Sequence, residues 1–167
     1  MSFYHRLERC SILTCLFLAL PANAHHSVGV FQTDMPIVLK GTIADVYFAN
    51  PHSTLFIDIT EDDGQVVRWA IENSSTLEQT RIRGFDRTTV KVGDPIEVCG
   101  YPPKRLVGTT VERITEETGR PKPEYWQDAE RAITGRLLVL NNKVEEHWSH
   151  YGPLDVCREL LGLPPSE

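Results

Sequence analysis

With 167 residues, 41% hydrophobic and 24% charged, the chain has the size of one domain and a composition that excludes a wholly disordered protein. Its formal net charge of −6 argues against nucleic-acid binding, which normally needs concentrated positive charge.

The N-terminus reads as an export signal over residues 1–24. Arg6 and Arg9 precede an apolar run from Cys10 to Leu20, and Pro21 leads into Ala22-Asn23-Ala24, the small-x-small pattern of a cleavage site. That run is too short to cross a bilayer core of about 30 Å, so a membrane anchor is not expected once the signal is removed. Neither Cys10 nor Cys15 follows the small residue that lipidation needs, so both leave with the signal. The expected location is periplasmic or secreted. In such an oxidising compartment the two remaining cysteines, Cys99 and Cys157, are expected to pair.

After cleavage the chain begins His25-His26-Ser27, and Val28–Phe31 is a short apolar arm ending at the turn Thr33–Pro36. Ile37–Phe48 is a long strand, rich in β-branched residues, with Gly41 marking a bend. Asn50-Pro51-His52-Ser53 breaks it. Thr54–Thr60 alternates as a half-buried strand. Glu61–Gln65 is a hairpin turn carrying Asp63-Gly64, and Val66–Glu72 returns with Trp69 and Ile71 on one face. Ser75 and Glu78 have capping-box spacing, so a helix is expected from there to Arg83, stopped by Gly84. Pro95–Tyr101 is a fourth strand and Val107–Ile114 a fifth.

This order matches a mainly β, OB-fold-like five-stranded barrel with one helix between strands three and four. An open meander or small sandwich with a crossover helix is the competing architecture. The barrel domain is expected over 25–115, with 116–167 a linker and C-terminal helical extension. Within that extension Trp126, Ala129 and Ile133 have helical spacing over Glu124–Ile133. Leu137–Leu140 reads equally as a helix end or an extra strand, and Pro153–Leu161 is a short amphipathic helix ended by Gly162.

Taken together, His25-His26-Ser27, Gly41-Thr42, Asn50-Pro51-His52-Ser53, Trp69, Glu72, Leu77, Gly84, Gly93-Asp94, and Gly100 with Pro102 and Lys104 resemble a family of small exported bacterial proteins of unknown function. Its members carry an N-terminal double histidine and an internal Asn-Pro-His turn. The resemblance covers about His25 to Ile114 and implies an exported, OB-like domain without an established activity.

The chemistry centres on His25. A free N-terminal histidine offers its α-amine and ring Nδ1 together, and a further imidazole completes a T-shaped nitrogen set suited to copper(II). His26 or His52 would supply that imidazole; a solvated, merely tolerated His-His is the plain alternative. If the arm folds back along the first strand, His25 falls opposite Ile43, on the order of 15–25 Å short of His52. His147 and His150 form a separate His-x-x-His, read as a metal pair on a helix or as a solvated face beside Trp148. Enzyme templates are missing: there is no Gly-x-Ser-x-Gly, no phosphate-binding glycine loop and no His-Glu-x-x-His. Asp58, Asp62, Asp63 and Glu72 are explained by solvent exposure and turn chemistry.

The expected function is thus an exported binding module that takes copper through its N-terminal histidine. The alternative is a metal-free recognition module for a periplasmic protein, peptide or small ligand. It would use the face of strands two and three with their loops, through Asn50, Ser53, Phe56 and Arg68.

Overall fold

The computed structural model describes residues 31–49, 52–73, 79, 81, 84–86, 88–103, 126, 128–146, 148–150 and 152–166. The expected signal, His25, His26, Asn50, the strand at 107–114 and the linker at 115–123 lie outside these residues.

The strand β1 (Ile37–Phe48) is shared between two partners. Its first half pairs with β4 (Pro95–Tyr101) and its second half with β2 (Ser53–Thr60), both antiparallel. Serving both neighbours requires the strand to coil, and two features permit it. A Cβ at Gly41 would sit 2.6 Å from the Asp58 carbonyl oxygen, so only glycine lets the backbones approach this closely. A register irregularity between Ile43 and Asp45 then adds a bulge, which increases local twist.

A tight turn, with Gly64 at φ 84°, joins β2 to β3 (Val66–Glu72), and the register runs from Thr60↔Val66 to Thr54↔Glu72. The helix expected after β3 leaves its end within the described residues. Gln79 and Arg81 are helical, Gly84 has φ 68°, and the Phe85 amide donates to the Gln79 carbonyl six residues back. That is the closure of a glycine-stopped helix.

The strand that completes the barrel is β5 (Arg131–Leu140), drawn from the stretch expected to be extension. It runs antiparallel to β4 and parallel to β3, so the circuit β1-β2-β3-β5-β4-β1 closes. This mixed five-stranded barrel is the OB arrangement. The helix expected over Glu124–Ile133 is corrected from Arg131 onward, where the chain is strand. Its helical spacing arose because Trp126 and Ala129 pack outside the barrel while Ile133 fills the interior. Asn141 and Asn142, both at positive φ, turn β5 into the short β6 (Lys143–Glu145).

Inside the barrel lie Ile43, Leu55, Ile57, Trp69, Ile71, Val98, Ile133, Leu138 and Trp148. Two smaller clusters sit on its outer surface. One gathers Phe56, Ala70, Trp126, Ala129 and Ala132 over β2 and β3. The other gathers Phe31, Cys99, Tyr101, Leu137 and Cys157 beneath α1 (Leu154–Leu160). The expected Cys99–Cys157 disulfide is present, with both residues buried.

Phe31 and Gln32, the described end of the N-terminal arm, do not fold back along β1. Phe31 bridges Pro103, and the Gln32 amide donates to the Pro102 carbonyl at 2.8 Å, so these two residues prolong the line of β1 beside the continuation of β4. β4 already occupies an edge of β1 from Ile37 to Thr42, and the turn at 33–35 carries the arm onto unpaired backbone past the end of β4.

Candidate functional site

The β2–β3 register assembles the site. One step beyond Thr54↔Glu72, the Asn73 amide donates to the Ser53 carbonyl at 2.8 Å, which brings His52 against the end of β3. The His52 ring is only 8% exposed, and its Nδ1 lies 2.7 Å from the Asn73 carbonyl oxygen. A carbonyl can only accept, so Nδ1 carries a proton and the lone pair of the neutral ring is on Nε2. The ring is therefore held by a backbone carbonyl, with a buried side chain beside the same nitrogen. Glu72 Oε1 is 3.4 Å from the same Nδ1.

Glu72 is 7% exposed, which corrects its reading as a solvated strand residue. Trp69 and Ile71 face the barrel interior, so alternation turns Glu72 outward, beneath the outer cluster rather than into water. Its Oε2 accepts from Trp126 Nε1 at 3.2 Å. Burial pushes the Glu72 carboxyl above the usual range, against the opposing pull of the His52 ring and the Trp126 hydrogen bond. Thr54 and Thr134 flank Glu72 in the β2–β3–β5 register, both buried, and neither hydroxyl has a partner among the described residues.

The same outer face holds Phe56 and Arg68 of the residues expected to bind a ligand, and the chain itself covers them. Phe56 is fully buried in the cluster with Trp126 and Ala129. Arg68 grips Asp58 through two hydrogen bonds of 2.8 and 3.0 Å and reaches Asp128 at 2.9 Å. These carboxylates hold its guanidinium protonated even more firmly than usual. Ser53 is buried at the start of β2. The structure thus brings His52, Phe56 and Arg68 to one sheet face, with Phe56 and Arg68 committed to Trp126, Asp128 and Ala129, while Ser53 alternates to the side of Leu55 and Ile57.

His150 is exposed, and residues 148–150 are not helical, so the helical geometry expected for His147 and His150 is corrected; His147 lies outside the described residues. Trp148 instead fills the barrel core. Among the described residues no group of three or more His, Cys, Asp or Glu side chains is disposed to hold a metal ion. Depressions on the described surface lie elsewhere, one beside Lys40, Glu97 and Asn141 and another beside Glu61, Asp63 and Arg131.

Residues 13–111 match the model of a family of unknown function, DUF6152. The chain belongs to that family. The DUF6152 match takes in His52, Thr54 and Glu72, whereas Trp126 and the closing strand β5 lie beyond it. No curated protein matches the chain.

The sequence did not reveal Glu72 as a partner of His52, nor Trp126 as a partner of Glu72. The hairpin register held the signal for Glu72: counting back from the Asp63-Gly64 turn pairs Thr54 with Glu72 and sets His52 beside the end of β3. Nothing comparable pointed to Trp126, which reaches Glu72 from within the β4–β5 connection.

Proposed function

We propose that this protein is an exported copper-binding module. In this reading the α-amine and ring of His25 chelate the metal, and the His52 imidazole completes the nitrogen set, with His26 alongside. The observation that carries it is the His52 ring, buried and fixed with Nδ1–H on the Asn73 carbonyl. Metal-binding imidazoles are held in this way, their second ring N–H donated to a carbonyl or carboxylate and the lone pair of the other nitrogen directed at the ion. Nitrogen donors of this kind favour copper(II) among the common divalent metals.

Two further observations support the reading. A buried Cys99–Cys157 disulfide suits a protein that works outside the reducing cytosol. The reach is also adequate. From Glu72 the sheet leads through Thr134 and Tyr101 to Pro103 and its bridge to Phe31. At strand spacing that path corresponds to a separation on the order of 15–20 Å, and residues 25–31 extended span about 20 Å. The metal-free recognition reading is less favoured, because Phe56 and Arg68 already serve the chain's own residues 126–129.

The test is copper(II) titration of protein that begins at His25. One tight site is expected. One extra residue before His25, or the substitution His52→Ala, should weaken it by at least about 100-fold, since either removes a nitrogen donor. Unchanged affinity in the extended protein would exclude the N-terminal amine as a ligand.

A further inference from the structure

We propose that Glu72 is a positioning residue for His52 and that Trp126 holds Glu72 in place, an inference that rests on the copper reading above. The geometry is a chain of three buried side chains. Trp126 Nε1–H donates to Glu72 Oε2 at 3.2 Å, Glu72 Oε1 faces His52 Nδ1–H at 3.4 Å, and the same Nδ1 donates to the Asn73 carbonyl at 2.7 Å. One N–H group therefore lies at each oxygen of one carboxyl, and a carboxylate is the side chain whose two oxygens both accept.

The arrangement does two things to the imidazole. It fixes the tautomer with the lone pair on Nε2, because the other tautomer would set a bare Nδ1 against two oxygen acceptors. It also restrains rotation of the ring, because carbonyl and carboxyl approach the same nitrogen within one buried shell. A ring held this way enters a coordination sphere without further ordering and as a better donor. The same contacts make residues 126–129 part of the site's support, since Trp126 reaches Glu72 from the cluster that covers Phe56 and Ala70.

A purely structural Glu72 would affect stability alone, so the test reads the metal. Copper(II) affinity, by competition titration, and the electron paramagnetic resonance spectrum are measured for protein beginning at His25 and for its Glu72→Gln, Trp126→Phe and His52→Ala variants, with thermal unfolding as a check on folding. Glu72→Gln keeps the shape but replaces one acceptor with a donor, so one facing N–H loses its partner. Affinity should fall about 10–100-fold with a changed copper hyperfine splitting, the range typical of lost outer-shell support. Trp126→Phe keeps the ring packing, removes only the N–H, and should shift affinity and spectrum in the same direction by a smaller factor. If both variants bind like the parent with an unchanged spectrum while His52→Ala has lost the site, Glu72 does not position the ligand, although the copper reading stands. If His52→Ala itself binds like the parent, both the positioning role and the His52 ligand are overturned.

Discussion

Replacing both Cys99 and Cys157 by alanine should destabilise the protein by about 4 kcal/mol, and the number follows from the length of chain that the bridge closes. The cysteines are 58 residues apart in sequence. Restricting a loop of that size removes about 14 cal/mol/K of entropy from the unfolded chain, or about 4 kcal/mol at 25 °C. The loop spans the whole connection from β4 to α1, including β5, so the bridge bears on the strand that closes the barrel. Alanine is the better replacement because both positions are fully buried, and serine would bury a hydroxyl. Urea unfolding of the oxidised parent and the double variant measures the difference directly, and a lowering of the melting temperature by about 10 °C should accompany it. A loss below about 1 kcal/mol would refute the reasoning. It would mean that α1 and the end of β4 are held together in the unfolded chain by something other than the bridge.

Two further outcomes are expected from the outer face of the sheet. Phe56→Ala should cost about 3–5 kcal/mol, as for any fully buried aromatic, and a loss under 1 kcal/mol in chemical denaturation would mean that residues 126–129 do not cover it. Glu72 supplies a pH signature. Burial raises its carboxyl pKa in the folded protein, so its contribution to stability is fully present below the ordinary carboxylate range and is lost as pH rises through the folded value. The stability of the parent relative to Glu72→Gln should therefore fall as pH rises above the ordinary carboxylate range. Denaturation curves whose difference stays constant as pH rises from the ordinary carboxylate range would contradict it.

The first four strands were legible in the sequence because each carries its own signal. β2 and β3 alternate about an Asp63-Gly64 turn, and β1 and β4 are bounded by proline and glycine breaks. β5 carries no such signal. It is covered on both faces, by the barrel interior and by the outer clusters, so Ala132 through Leu138 are all buried and no period of two survives. Its partner β3 lies parallel and far away in the chain, which leaves no turn to announce the pairing. The candidate site divides along the same line. His52 stood out beside the Asn-Pro break, but Glu72 looked like an ordinary polar strand position, because what buries it is the segment around Trp126 that sequence spacing assigned to a helix.

The parallel contact between β3 and β5 also sets an order of events as the chain emerges N-terminus first. Until residues 131–140 are available, β3 and β4 each present a row of unsatisfied backbone groups, and the three-stranded meander has no means of closing on itself. Closure then waits on contacts of long sequence separation, a slow step during which open strand edges invite pairing with other chains. The Cys99–Cys157 bridge spans this strand, the last of the barrel circuit to arrive, so it locks the barrel only once β5 is seated. The segment least conspicuous in the sequence is thus the one on which escape from aggregation depends.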